Sequence, residues 1–468
     1  MIALTHLKDQ NVALFGLGGS GIATAKALLA GGANVVAWDD QADKIKAAQE
    51  QGIPIADLHM IEWNSLSCFI LAPGVPLTHP QPHWTVGLAT ISNVPIIGDI
   101  ELFCKERALI APKSHFVAIT GTNGKSTTTA LISHILHEAG FNVQMGGNIG
   151  TAVLSLAQPT QPSKNTHDQH TVHVIECSSF QIDLAPTLNP SVGVHLNIAP
   201  DHLDRHGTLE NYAAIKERLI AGSDVAIVGV DDPYSTKIAE RAKTNNYTLV
   251  PISDHQILET GVYAQNARLT RIMPEGTKTS LDIAGVRSLR GQHNAQNACA
   301  AWAACAALGV EDLVIARAIT TFAGLAHRME DIRQIGPVSF INDSKGTNAD
   351  STQKALASFK HTFWIVGGKA KAGGIESLEP YFENVTRAYL IGEASQAFSQ
   401  TLEGKVPYTL CVTMDKAVTK AAADALASGH KDAVVLLSPA CASYDQYPNF
   451  EVRGDDFRKH VKALPSAF

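Results

Sequence analysis

The stretch from Phe116 to Ala130, Phe-Val-Ala-Ile-Thr-Gly-Thr-Asn-Gly-Lys-Ser-Thr-Thr-Thr-Ala, limits what this chain can fold into more than any other. Phe116 to Ile119 read as a buried β-strand and Thr120 to Gly124 as a tight loop. From Lys125 onward, Ala130, Leu131, Ile132, Ile135 and Leu136 recur at helical spacing. A strand, a glycine turn and a helix start make an anion site, because the loop N–H groups converge and the helix dipole adds positive potential. Gly121, Thr122, Asn123 and Gly124 would cradle a phosphate and Lys125 would reach the outer phosphates of a nucleotide. Ser126 or Thr127 would offer a hydroxyl to Mg2+. Ile119 stands where the strict phosphate loop has a glycine, so this is a shorter variant. A plain strand–turn–helix corner is the alternative, and it would not need glycines, a lysine and a run of hydroxyls in this order.

At 468 residues the chain has room for two to four domains of about 100–200 residues each. Charged residues make up only 17%, which argues against disorder, and the net charge of −7 argues against general nucleic-acid binding. The seven cysteines are scattered with no C-x-x-C pair, which fits reduced, buried thiols in a cytoplasmic protein. Met1 to Gln10 carry no signal-peptide pattern, and the apolar stretch Asn11 to Trp38 is broken by glycines and Lys26, so no membrane span is expected.

In chain order, a strand at Asn11 to Phe15 opens Gly16-Leu17-Gly18-Gly19-Ser20-Gly21, then a helix from Ile22 to Ala30 and a strand from Asn34 to Trp38 that ends in Asp39. That is a dinucleotide-type βαβ unit, open to three readings: NAD, another nucleotide-like ligand, or a bare structural corner. The strand from Cys68 ends at Pro73-Gly74, so Gly74 could face the same crevice as Gly18. After the phosphate-loop helix comes Gly146-Gly147-Asn148-Ile149-Gly150, and the polar run Gln158 to His170 reads as a solvated loop. Thr171 to Ile175 is a strand ending in Glu176, the natural carboxylate partner of a phosphate loop and its Mg2+. The strand Ser191 to Leu196 runs into Asp201-His202-Leu203-Asp204-Arg205-His206, a group that could ligate metal but has no closed zinc spacing. Lys216 sits in a helix from Asn211 to Ala221 and looks ordinary by itself, and the region from Val225 to Ile283 reads as strand-rich. Asn294 and Asn297 fall on one face of an Ala-rich helix, where they could read a purine edge or cap the helix. A third unit from Leu325 alternates strands with helices and closes its strands in Asn342 to Asn348, Gly367 to Gly374 and Ser438 to Tyr447.

These readings imply an α/β protein of three domains: a Rossmann-like N-terminal domain (1–110), a central P-loop ATPase-like domain (111–324) and a C-terminal Rossmann-like α/β domain (325–468). A motor would not need the first and third sites, and a dehydrogenase would not need the phosphate loop. A ligase with three substrates needs all of them.

The chain resembles the Mur ligases of peptidoglycan precursor synthesis. The resemblance rests on Thr120 to Ser126, Glu176 with Ser178 to Ile182, Asp201-His202-Leu203-Asp204, Gly291-Gln292-His293-Asn294, His327-Arg328 and Asn342-Asp343-Ser344-Lys345. Glu176 to Gln181, and Ser438 to Tyr447 with Phe450 and Arg453-Gly454, are similar to the branch that adds D-glutamate to UDP-N-acetylmuramoyl-L-alanine, and no Asp-Asn-Pro-Arg run of the diamino-acid branch is present. The resemblance implies that ATP phosphorylates the alanyl carboxylate, that the glutamate amine attacks the acyl phosphate, and that phosphate leaves as the amide forms. It implies catalytic roles for Lys125, Lys216, His202 and Glu176, with Ser126, Glu176, His202 and a CO2-carbamylated Lys216 as ligands in two Mg2+ sites. It places Asn294, Asn297, Arg328, Asp343 and Lys345 on ATP, and Gly18, Ser20, Asp39, Gly74 and Asn148 near UDP rather than NAD. Thr347, Lys371, Ser443 and Phe450 fall in the glutamate pocket, where Lys369 is the other candidate for the Lys371 role. It implies a cytoplasmic monomer. A relative taking L-glutamate or another acceptor, a dehydrogenase, or a nucleotide-binding regulator are the competing readings.

Overall fold

The computed structural model describes residues 1–161, 171–245, 247–370 and 373–465. Its strands form three sheets among those residues. The first runs Asn34–Trp38, Asn11–Phe15, Cys68–Leu71, Ile96–Ile97, all parallel. The second has nine strands, in the order Lys278–Asp282, Arg268–Ile272, Gly261–Gln265, Thr248–Ser253, Val225–Gly229, Val192–His195, His115–Thr120, Thr171–Glu176, Asn142–Gly147. From Gly261–Gln265 to Asn142–Gly147 its neighbours are parallel, and the two remaining pairings are antiparallel. The third runs Glu330–Ile335, Val338–Asn342, Ala433–Leu437, His361–Gly367, Val385–Ile391, Tyr408–Val412, parallel except for its first pair.

Parallel strands are covered on both faces, so they read as unbroken apolar runs. Phe116 to Ile119 and Ala433 to Leu437 do so, and all are buried. The α/β class and the three-sheet organisation agree with the sequence. One element departs from it: Pro233–Thr244 is a helix inside the region that reads as strand-rich. Asp232 caps it, accepting from the N–H groups of Tyr234 and Ser235, and Pro233 sits in its first turn. An Asp-Pro helix start is a recognisable signal.

By contacts the chain divides into two compact units, residues 1–286 with 292–321, and 287–291 with 322–468. The first unit carries the first two sheets. They are joined through the helix Asp99–Ile110, whose buried acids find donors across the junction. Gln181 Nε2 donates to Asp99 Oδ2 at 3.2 Å, Thr187 Oγ1 to Glu101 Oε1 at 2.7 Å, and Gly98 N–H to Leu184 O at 2.9 Å. No helix of the described residues is long and apolar enough to cross a membrane.

Candidate active site

The phosphate-loop strand is His115–Thr120 and its helix Lys125–Glu138. Gly124, at the helix N-cap, has φ 84°, and a Cβ there would collide with Asn297 Oδ1, so the position requires glycine. The loop is pinned from the neighbouring strand. Thr122 N–H donates to Asn197 O and Asn123 N–H to Asn197 Oδ1, both at 2.9 Å, while Asn197 Nδ2 returns a bond to Asn123 O at 3.3 Å. Those two N–H groups are therefore committed to Asn197. The helix that begins at Lys125 presents its first turn at this loop, and the N–H groups of a helix start are suited to an anion. Lys125 Nζ donates to Gly121 O at 3.0 Å and Thr122 O at 2.8 Å, which holds the ammonium over the loop. Asn294 and Asn297 do share a helical face: Asn297 Nδ2 donates to Asn294 Oδ1 at 3.0 Å, and Thr128 Oγ1 to Asn297 Oδ1 at 3.2 Å. This carries the asparagine pair to the base of the phosphate loop.

Lys216, an ordinary helix lysine by sequence, is only 1% exposed. Its Nζ donates to Thr120 Oγ1 at 3.1 Å and to Gly121 O at 3.0 Å, and lies 4.7 Å from the centre of the Tyr212 ring. Burial, reinforced by the Lys125 charge, lowers its pKa to about 7. Glu176 pairs with Ile119 across the sheet and is 2% exposed. Its Oε1 accepts from Asn148 Nδ2 at 2.8 Å, and its buried Oε2 has no partner. An unpartnered buried carboxylate oxygen beside a phosphate loop suits a divalent cation. Asn148, which the resemblance sets near UDP, is thus seated on Glu176.

His202 lies in the left-handed region at φ 52° and its ring packs 5.0 Å from that of Phe180. Phe180, His206 and Tyr212 continue the ring contacts toward Lys216. His206 Nε2 lies 2.9 Å from Ser179 Oγ, and burial, with the nearby cations, lowers its pKa to about 4, so it is neutral at physiological pH.

At the edge of the first sheet, Gly18 caps the helix Gly19–Ala30, which contains Ser20. Asp39 Oδ2 accepts from Leu17 N–H at 2.8 Å and Oδ1 from Gln41 N–H at 3.0 Å, so the acid shapes the glycine turn. Arg205 Nη1 donates to Gly74 O at 3.1 Å and Nη2 to Val75 O at 3.0 Å, tying this edge to the His202 loop.

Arg328, Asp343, Lys345, Thr347, Ser443 and Phe450 belong to the second unit. Asp343, Lys345 and Thr347 follow the strand Val338–Asn342, and Ser443 follows Ala433–Leu437. These strands are neighbours, so their loops meet at one carboxyl edge, where ligands sit in such sheets. Asp343 is buried and accepts from Ser438 Oγ at 2.6 Å, and burial raises its pKa to about 7. Lys345 Nζ lies 4.1 Å from the centre of the Phe450 ring. Lys369 is bridged to Ala442 through backbone bonds of 2.9 and 3.0 Å. Lys371 lies outside the described residues.

Residues 119–305 match the family model for the Mur ligase middle domain, and residues 327–441 match that for the Mur ligase glutamate ligase domain. The chain belongs to the Mur ligase family. It is 55% identical over 464 residues to UDP-N-acetylmuramoylalanine–D-glutamate ligase of Rhizobium etli, covering 99% of this chain and 97% of the relative. It is 54% identical over 468 residues to the Nitrobacter winogradskyi protein of the same name, covering 99% of each. Among solved structures, UDP-N-acetylmuramate-alanine ligase MurC of Thermotoga maritima shares the fold. Its TM-score is 0.55 at 17% identity, over 97% of this chain and 99% of that one.

Two residues that the sequence does not single out brace the phosphate loop and the neighbouring asparagine pair. Asn197 is one: it stands just after the strand beside the phosphate loop, and that position was the available signal. Gln296, buried between Asn294 and Asn297, is another. Its Oε1 accepts from Asn197 Nδ2 at 2.8 Å and its Nε2 donates to Asp231 Oδ2 at 3.2 Å. Asn197→Ala is expected to raise the ATP KM by about tenfold, because it removes the side-chain clamp on Asn123, both the acceptor for its N–H and the donor to its carbonyl, while the Thr122 N–H keeps its backbone acceptor. Steady-state kinetics with ATP varied checks this, and an unchanged ATP KM would make the clamp dispensable.

Proposed function

We propose that this Mur ligase joins D-glutamate to UDP-N-acetylmuramoyl-L-alanine at the expense of ATP, in peptidoglycan precursor synthesis. The observation that carries the reading is the near-complete-length identity to curated ligases of that name. The phosphate loop with Lys125, Lys216 and Glu176 beside it supports the ATP half of the reaction.

A carboxylate is a poor electrophile, because its charge is delocalised and its leaving group would be oxide. Transfer of the ATP γ-phosphoryl group to the alanyl carboxylate makes an acyl phosphate. The glutamate amine then attacks that carbonyl, loses a proton, and expels phosphate as the C–N bond forms. Alignment of carboxylate, phosphoryl group and amine can remove on the order of 7–11 kcal/mol of barrier. In this reading Lys125 and the helix-start N–H groups hold the outer phosphates, and Asn294 and Asn297 serve the nucleotide together with Arg328, Asp343 and Lys345. Ser126, Glu176, His202 and carbamylated Lys216 would hold Mg2+ in two sites, and the orphan oxygen of Glu176 fits that use. Bound there, Mg2+ supplies charge neutralisation on the phosphoryl oxygens. Gly18, Ser20, Asp39 and Gly74, with Asn148, take the UDP precursor, and Thr347, Ser443 and Phe450, with Lys371, take the amino acid. The division of labour follows domains 1–110 for precursor, 111–324 for ATP and 325–468 for glutamate. Substrates of this kind place the work in the cytoplasm, and the chain is read as a monomer.

The test is phosphate release with ATP and UDP-N-acetylmuramoyl-L-alanine, scanning D-glutamate, L-glutamate and diaminopimelate. D-glutamate should be preferred by at least a hundredfold. A preference for L-glutamate or diaminopimelate, or ATP hydrolysis without ligation, would overturn the assignment.

A further inference from the structure

Arg453 is a fully buried cation in the second compact unit. It is 1% exposed and lies in the helix Phe450–Ala463. Its Nε donates to Ser344 Oγ at 3.1 Å and its Nη2 to Ser344 O at 2.9 Å, but its buried Nη1 has no partner. Nη1 lies directly under Gly368, where an added Cβ would stand 3.1 Å from it and 3.1 Å from Cys441 Cβ. The guanidinium thus sits beneath the junction of three loops, those carrying Ser344, Gly368 and Cys441. These loops leave adjacent strands of the third sheet at their carboxyl ends.

No carboxylate of the described residues forms an ion pair with it. The two acids whose fields reach it are engaged elsewhere: Asp343 with Ser438 Oγ at 2.6 Å, and Asp445 with Glu393 N–H at 3.0 Å. Burial lowers the Arg453 pKa to about 10, which still leaves it charged at neutral pH. A buried guanidinium without a counter-ion is unfavourable unless an anion completes it. Ser344 links the charge to the pocket surface, since its Oγ also donates to Phe450 O at 2.8 Å. Gly368 covers Nη1, so a ligand would feel Arg453 through the field of a low-dielectric site rather than touch it.

We propose that Arg453 is a positioning residue that makes the amino-acid pocket select a net-anionic, dicarboxylic amino acid over its neutral amide analogue. This deepens the ligase reading and rests on it. The neighbouring glycine, serine and phenylalanine supply shape, and Arg453 adds a fixed, buried positive charge beneath them.

The test compares kcat/KM for D-glutamate and D-glutamine in the wild-type chain, Arg453→Gln and Arg453→Lys. Arg453→Gln is expected to lower the glutamate-to-glutamine ratio at least tenfold, through the glutamate KM, with a far smaller change in the ATP KM. Arg453→Lys should keep the ratio within about threefold at pH 7. It should lose it by pH 9, as a buried ammonium deprotonates more readily than a guanidinium. That pH dependence carries the test if Arg453→Gln does not accumulate as folded protein. An unchanged ratio in Arg453→Gln, or equal losses at pH 7 in both variants, would overturn the charge role. So would a ratio in Arg453→Lys as independent of pH as that of the wild type. Ligation of neither amino acid by the wild-type chain would instead overturn the ligase reading itself.

Discussion

Lys216→Ala is expected to reduce ligation by at least a thousandfold, with partial recovery when formate or acetate is added at tens of millimolar. Carbamylation joins the neutral amine nitrogen to the carbon of CO2 and releases a proton, so it turns a cation into an anionic oxygen donor. An unperturbed lysine is only roughly 0.1% neutral near pH 7.4. The site changes that figure. Lys216 is enclosed by Thr120, Gly121 and the Tyr212 ring, and burial with the Lys125 charge brings its pKa to about 7, so roughly half of it is neutral at pH 7. A small carboxylate that enters the space left by the shortened side chain would stand in for the oxygen donors of the proposed carbamate. Full activity of Lys216→Ala without added acid would remove the residue from the mechanism. Lys216→Met separates this role from packing. The folded-state pKa lies below the unfolded one, so between pH 7 and 10.5 the unfolded chain binds the extra proton and wild-type stability rises with pH. Below that window the full cost of a buried charge is present. The unfolding midpoint of Lys216→Met should therefore exceed the wild-type value at pH 6, on the order of 5 °C, with the gain fading by pH 10. A lower midpoint at pH 6 would mean that the ammonium stabilises the fold.

Local pattern was enough for the elements that carry their own periodicity. The phosphate-loop strand, the Gly124 turn and the helix after it lie within a residue or so of their sequence reading, because apolar spacing and a left-handed glycine are local properties. What the sequence could not show depends on chain crossings. Lys216 is ordinary in its helix and becomes exceptional only because strand pairing delivers Thr120 and Gly121 to its amine. Asn197 and Gln296 act through partners distant in the chain, with Asn197 some 74 residues from Asn123. Asp39 has the spacing of a ribose-binding acid, yet its oxygens hold the backbone of Leu17 and Gln41, a competition that spacing alone does not reveal. In sequence Arg453 is one residue of the stretch from Phe450 to Gly454 that carries the family likeness. Its chemistry lies in an unpaired Nη1, visible only after three loops converge on it.

Glu176→Gln should be nearly as severe as loss of Lys216, and its dependence on metal distinguishes a ligand from a packing residue. The substitution keeps the side-chain shape and an acceptor for Asn148 Nδ2, which donates to Oε1 at 2.8 Å. It removes the negative charge and replaces the buried, unpartnered Oε2 with an amide that cannot bind a cation if it faces the site. A hard divalent ion held by Glu176 would lose an anionic oxygen ligand. Turnover at about 5 mM Mg2+ should fall by roughly a thousandfold, the size expected when electrostatic stabilisation of a transferring phosphoryl group is lost. The apparent Mg2+ constant should rise by at least tenfold, so that part of the activity returns as Mg2+ is raised. The glutamate KM should change little, since Thr347, Ser443 and Phe450, the residues proposed for that pocket, belong to the other compact unit. Asn148→Ala separates orientation from charge: it leaves the carboxylate but frees its rotamer, and should raise the Mg2+ constant by only a fewfold. A Glu176→Gln enzyme whose residual rate is insensitive to Mg2+ concentration, with an unshifted metal constant, would place Glu176 among the structural residues of the sheet.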